Sequence, residues 1–196
     1  MIPEDVRRHF EETGALLEGH FKLSSGLHSK HYLQCAKVLQ WPDRAAALGV
    51  ALAELLKPFE PTVVVSPAMG GLIIGQEVGR VLGRRAIFAE RVDGVFVFRR
   101  GFQLESQDRV VVIEDVVTTG RSTREVLAVV RAAGSLPVAC GSIVDRRAAD
   151  QRDDASLEVP YRALLTLDVP AWSASECPRC KAGQTVSAPG SRFLSA

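Results

Sequence analysis

Apolar positions along the chain follow two rhythms, one of helical spacing and one of short unbroken runs. Val6, Phe10, Leu16 and Leu17 give Pro3–Leu17 a partial helical face, with Pro3 placed in the first turn and a stop near Gly19. Residues 19–35, GHFKLSSGLHSKHYLQC, carry turn formers at Ser24–Gly26 and an alternating tail, which predicts a hairpin or short strand pair. Pro42 opens a second helix over Asp43–Phe59, where Ala46, Val50, Ala53 and Leu56 recur at helical spacing. TVVVSP at 62–67 is instead a continuous β-branched run, the kind that suits a strand covered on both faces. A glycine-rich turn and a further helix follow it, then a strand over Arg85–Glu90. Val95–Phe98 and Phe102–Leu104 read as the two arms of an exposed hairpin.

The clearest unit spans 109–134: a strand, paired acids, a Thr/Gly loop, and a helix marked by Val126, Val129 and Val130 that ends near Gly134. Leu136–Val144 is the next strand, and a charged stretch follows it. Strand, turn, helix and strand in this order predict an α/β fold with a mostly parallel central sheet flanked by helices. Residues 155–196 lack comparable periodicity and read as a last strand and a cap. The division expected is an N-terminal helix with hairpin elements over 1–40, an α/β core over 41–170, and a tail over 171–196.

With 196 residues, 46% of them hydrophobic, the chain can bury a sizeable core in one main domain. Its 24 Lys and Arg against 23 Asp and Glu leave a formal charge of +1, which argues against nucleic acid or another polyanion as a partner. Any anion must therefore be gripped by a local site. The apolar runs are too short to cross a membrane and the start is acidic where a signal peptide would be basic, so a cytoplasmic place is expected. Four cysteines are too few for a disulfide scaffold.

The chemistry concentrates in VVVIEDVVTTGRST. Glu114 and Asp115 stand at the carboxyl end of a buried strand, where open α/β sheets present ligands, and they suit hydroxyls or a hydrated cation. Thr118, Thr119, Gly120, Arg121, Ser122 and Thr123 then offer hydroxyls and backbone N–H groups at a helix start, which suits a phosphate. A sugar phosphate satisfies both halves at once. The simpler alternative is that the acids and the Thr/Gly turn only cap a helix. Neither a P-loop ending nor a dinucleotide fingerprint is present.

This run resembles the signature of the type I phosphoribosyltransferases, and the wider chain is similar to the orotate-using members of that family. The resemblance implies the family's fold, with a small hood subdomain, and transfer of a phosphoribosyl group from 5-phosphoribosyl 1-diphosphate to orotate. It implies ribose contacts for Glu114 and Asp115, and a grip on the 5-phosphate by the loop from Val116 and Val117 through Thr123. VVVSPAMGGLIIG resembles the diphosphate loop, placing Ala68, Met69, Gly70 and Gly71 against the leaving group in an unusual backbone conformation. Arg91 matches the leading arginine of the mobile catalytic loop. FKLSSGLHSKHYLQC resembles the hood over the base, so Ser25, Gly26 and Tyr32 join Thr119 in base binding, and SIVDRR places Arg146 against the orotate carboxylate. Mg²⁺ carried by the donor diphosphate, with no fixed protein cage, and a homodimer with its sites near the interface are further implications.

The chain departs from that pattern at Ser24 and Gly70, where lysines are common, and at Val92, Val95 and Val97, where the mobile loop usually carries lysine and histidine. Arg99 and Arg100 could supply the missing charge or simply solvate a hairpin. Arg146 could alternatively pair with Asp145 or Asp150. A purine phosphoribosyltransferase and a non-catalytic donor-binding regulator are the competing functions. His9, His20, His28 and His31 suit surface or local hydrogen-bonding roles, though one of the last three could contact substrate. The Cys177–Cys180 CxxC reads as an inert thiol turn, a redox pair, or half a zinc knuckle whose second pair would come from another subunit.

Overall fold

In the computed structural model, which describes residues 1–23 and 26–189, the chain runs α1 (Pro3–Glu12), β1 (Leu16–Lys22), β2 (His28–Leu33), α2 (Ala36–Leu39), α3 (Pro42–Leu56), β3 (Val63–Pro67) and α4 (Leu72–Leu82). It continues through β4 (Arg85–Val92), β5 (Val95–Phe98), β6 (Arg109–Val117), α5 (Arg121–Ala132), β7 (Leu136–Asp145), β8 (Tyr161–Thr166), β9 (Ala171–Trp172) and α6 (Pro178–Lys181). The main sheet has the order β5-β4-β3-β6-β7-β8, parallel throughout except for β5, which pairs antiparallel to β4. β1, β2 and β9 form a separate three-stranded sheet.

The uninterrupted valine runs are explained by how the sheet is covered. Val64, Val111 and Ile113 pack with Val6 and Phe10 of α1, Leu48, Leu52 and Leu56 of α3, and Ile74 and Val78 of α4. Their neighbours Val63, Val65, Val110 and Val112 pack on the opposite side with Val126, Leu127 and Val130 of α5. Alternation within each strand thus feeds two apolar layers, and neither face tolerates a polar residue until the strand ends.

Two expectations are corrected. The first helix stops at Glu12 rather than Leu17: Gly14 adopts φ +64°, and Leu16 and Leu17 enter strand β1, pairing with Leu33 and Tyr32 of β2. Their apolar character serves a sheet face, which a helical count cannot distinguish over so short a run. The second hairpin also differs. Val95–Phe98 pairs with Ala89–Val92, and Phe102–Leu104 is irregular; Phe96 is buried, because this arm packs beside α5 as well as facing solvent.

Among the described residues, no helix is long and apolar enough to cross a membrane.

Candidate active site

The strand order places a crevice where chemistry can be assembled. From β3 the chain moves outward to β4 and β5, then returns on the other side of β3 as β6. Connections therefore leave β3 and β6 in opposite directions, and the gap beyond their carboxyl ends is the topological switch point at which open α/β sheets bind ligands. The segments after β3, β6 and β7 meet there.

Near the carboxyl end of β6 stand the acids. Glu114 is 7% exposed and its carboxylate makes no hydrogen bond or ion pair among the described residues. Burial, and next the charge of Asp115, push its pKa up to about 8. Burial also raises the Asp115 carboxyl, opposed by the Val116 N–H, which donates to Asp115 Oδ1 at 2.8 Å. Two adjacent, under-solvated carboxylates at a strand end are poised to accept hydroxyl donors, which would restore the stabilisation lost from water.

The loop after β3 comes directly against this pair. A Cβ on Gly70 would stand 2.7 Å from Asp115 Oδ1, and one on Gly71 would stand 2.6 Å from the Ile113 carbonyl. Only a backbone without side chains fits there, so main-chain groups of Ala68–Gly71 line the crevice beside the acids. The expected unusual conformation falls at Ala68–Met69, whose peptide is cis, and the Met69 side chain points outward, 82% exposed. Gly70, a departure from the pattern at sequence level, is the point of closest approach to Asp115.

Thr118, Thr119 and Gly120 follow Val116 and Val117 as the connection into α5. Gly120 caps the helix with φ +69°, a conformation a side chain would oppose, and a Cβ there would meet Leu157 at 2.6 Å. No side chain caps this N-terminus; Thr119 Oγ1 accepts only a long 3.4 Å bond from Arg121 N–H. The first-turn amides of Arg121, Ser122 and Thr123 are left to bind an anion, with Thr123 buried and Arg121 exposed.

At the end of β7, Asp145 and the two arginines that follow it take different roles. Asp145 pairs with Arg147, not Arg146: Nη2 to Oδ2 is 2.9 Å, and the Arg147 guanidinium also stacks over Tyr161 at 4.3 Å. Arg146 makes no side-chain hydrogen bond or ion pair among the described residues, and its Nε is buried without a partner. Burial lowers its pKa, but a guanidinium keeps its charge. A half-buried cation with a buried, open Nε donor is what a carboxylate-bearing ligand would complete. Asp150, the other alternative partner, stands apart from it in a 3₁₀ turn.

The remaining residues lie at the margins. Cys35, at the end of the β2 strand's tail, is buried beside Asp115 and Arg146; burial first and then the charge of Asp115 push its thiol up, and the charge of Arg146 opposes them. Sequence reasoning gave it no role; its only signal was its place at the hood–core junction. Gly26 turns the hood with φ +83°, while Ser25 lies outside the described residues. Tyr32 packs on Phe21 with ring centroids 5.8 Å apart and donates its hydroxyl to the Pro189 carbonyl at 3.5 Å. Arg91 is engaged elsewhere: it pairs with Glu125 of α5, donates to the Gly94 carbonyl and covers the Phe96 ring at 4.1 Å. Arg99 and Arg100 face Glu90.

The phosphoribosyl transferase domain model matches residues 34–160. Orotate phosphoribosyltransferase of Erythrobacter litoralis is 52% identical over 195 residues, covering 98% of this chain and 99% of that protein. The Thermotoga maritima orotate phosphoribosyltransferase is 44% identical over 96% of this chain and 99% of its own length. Among solved structures, orotate phosphoribosyltransferase from Aeropyrum pernix superposes with a TM-score of 0.65 at 26% identity, over 83% of this chain and 93% of that one.

Proposed function

The chain belongs to the phosphoribosyltransferase family, and from that premise we propose that it transfers the phosphoribosyl group of 5-phosphoribosyl 1-diphosphate to orotate, forming orotidine 5'-phosphate and diphosphate. The observation that carries this reading is the meeting of three strand ends: the acids Glu114 and Asp115 near the end of β6, the Gly70–Gly71 loop after β3, and Arg146 with its unpaired Nε after β7.

Each part has one task. Glu114 and Asp115 accept the ribose hydroxyls and hold negative charge near the anomeric carbon, where positive character develops as the C–O bond to diphosphate lengthens. The amides of residues 118–123 hold the 5-phosphate, and within Ala68–Gly71 the amides of Met69 and Gly70 receive the diphosphate, those of Ala68 and Gly71 being given to the Ala89 and Pro67 carbonyls. Arg146 offers its guanidinium to the orotate carboxylate and so sets which ring nitrogen faces the sugar; Thr119, Gly26, Tyr32 and Ser25 complete the base side. Displacement then forms the C–N bond as the C–O bond breaks, with no covalent enzyme intermediate and with rate gained from positioning and fixed charge.

The residues fit a donor-borne Mg²⁺: the Asp115 carboxylate stands directly against Gly70 of the diphosphate loop, an oxygen donor for the ion or its water. When bound, the ion neutralises charge on the leaving diphosphate. Arg91 reaches the leaving group only by exchanging Glu125, a change that closing of the β4–β5 hairpin over the crevice would bring about. The assembly expected is a homodimer in the cytoplasm, acting in pyrimidine synthesis.

A Mg²⁺-dependent competition among orotate, hypoxanthine, guanine and adenine, read as diphosphate release, tests the reading. Orotate should be consumed selectively. Preference for a purine, or donor binding with no release from any base, would contradict it.

A further inference from the structure

The tail of the chain returns to the hood and brings together four side chains that the transfer reaction does not use. Cys177 and Cys180 of the CxxC turn sit against His20 of β1 and His28 of β2, with one ligand atom from each within 4.8 Å of all the others. His20 Nε2 lies 2.9 Å from His28 Nδ1, 3.5 Å from Cys177 Sγ and 3.6 Å from Cys180 Sγ; Cys180 Sγ lies 3.2 Å from His28 Nδ1. Tetrahedral zinc, with bonds of about 2.3 Å to sulfur and about 2.05 Å to nitrogen, sets neighbouring sulfur and nitrogen ligands about 3.6 Å apart and two nitrogens about 3.3 Å apart. The observed edges match this to within a few tenths of an ångström. The geometry points to a closed Cys₂His₂ site for zinc, built by residues 20, 28, 177 and 180 of a single chain, that clamps the hood to the C-terminal segment.

Tautomer and burial agree with that assignment. His20 Nδ1 is 2.9 Å from the Gln184 carbonyl, which can only accept, so the ring proton sits on Nδ1 and the Nε2 lone pair faces the sulfurs. Cys177 is fully buried and both histidines are 6% exposed. Two thiolates and two neutral imidazoles around a divalent ion sum to zero charge, whereas bare thiolates in the same place would be strongly penalised. Thiolate and imidazole donors select zinc over Mg²⁺, which requires oxygen. With four protein ligands no position remains open to substrate, so the ion is structural. Binding releases the two thiol protons to solvent and changes no oxidation state.

The second ligand pair is thus histidine from the hood of the same chain, not cysteine from another subunit. Backbone pairing already brings the tail there: Ser187 N–H donates to the His20 carbonyl and Lys22 N–H to the Ser187 carbonyl, each at 2.8 Å, while Trp172 of β9 pairs with His28 of β2. Zinc would lock these contacts by linking positions some 150 residues apart in sequence, closing a long loop in the unfolded chain.

Elemental analysis of the full chain, reduced and purified without chelators, tests the site. About one zinc per chain is expected, and cobalt in its place should show the visible bands of a tetrahedral ion with thiolate charge transfer. The C177S/C180S double variant should lose bound metal by at least about tenfold, while Cys140→Ala, a buried cysteine outside the cluster, should retain it. If the double variant does not fold, the cobalt spectrum of the unaltered chain decides. A reduced chain that holds neither metal, or a double variant with undiminished zinc, would overturn the assignment.

Discussion

Arg147 holds Asp145 in a buried ion pair at 2.9 Å, and that pairing leaves the adjacent Arg146 with a buried, unpartnered Nε. Consecutive arginines at one strand end have divided into a structural and a ligand-facing role. Arg147→Ala should strip a partner from buried Asp145 and cost about 3–5 kcal/mol of stability. Arg146→Ala should leave the thermal midpoint of the free chain unchanged or raised, because it removes an unsatisfied buried donor, yet raise KM for orotate roughly 30- to 150-fold through loss of about 2–3 kcal/mol of charge-assisted binding. Paired thermal melts and steady-state kinetics separate the two; equal destabilisation would reject the division.

Glu114 makes stability depend on pH. The folded chain keeps its proton up to about pH 8, whereas the unfolded chain loses it near the ordinary value of 4.5. Between these values the folded form binds more protons, so this group's contribution makes stability fall as pH rises across that window. Glu114→Gln should gain on the parent chain steadily toward alkaline pH, as measured by denaturant midpoints. A constant difference between the two proteins would show that Glu114 is ionised in the folded state.

Donor binding should release protons near neutral pH. Ribose hydroxyls donating to Glu114 favour its ionised form, drawing down a carboxyl that burial holds up to about 8. Calorimetric titration of the Mg²⁺ complex of 5-phosphoribosyl 1-diphosphate in buffers of different ionisation enthalpy reads this directly, and Glu114→Gln should reduce it. Proton uptake would contradict the placement of the sugar.

The two glycines of the loop should fail differently. A methyl at Gly71 meets the Ile113 carbonyl, fixed in the central strand, so Gly71→Ala should destabilise the fold by about 1–3 kcal/mol. At Gly70 the obstacle is the Asp115 carboxylate, which can turn aside, so Gly70→Ala should fold and lose activity. Denaturation and kinetics on both variants check the contrast.

Strands β3 and β6 were legible because β-branched runs of that length suit strands covered on both faces, β7 because its residues are mostly apolar, and the acids stand out by interrupting such a run. The helix boundary at Glu12 was not, because Leu16 and Leu17 extend a helical pattern as readily as they begin a strand. Which of Arg146 and Arg147 stays free depends on the direction β7 leaves the sheet, a tertiary fact. Arg91's attachment to Glu125 likewise depends on how the β4–β5 hairpin lies on α5. The Cys₂His₂ cluster was hidden by separation: its halves meet only after the tail recrosses the hood.

A crystal structure of the chain with Mg²⁺ and 5-phosphoribosyl 1-diphosphate tests the central claim most directly. The ribose hydroxyls should lie within hydrogen-bonding distance of Glu114 and Asp115, and the 5-phosphate on the amides of residues 118–123. A sugar bound away from both carboxylates, with its phosphate remote from that loop, would contradict the account.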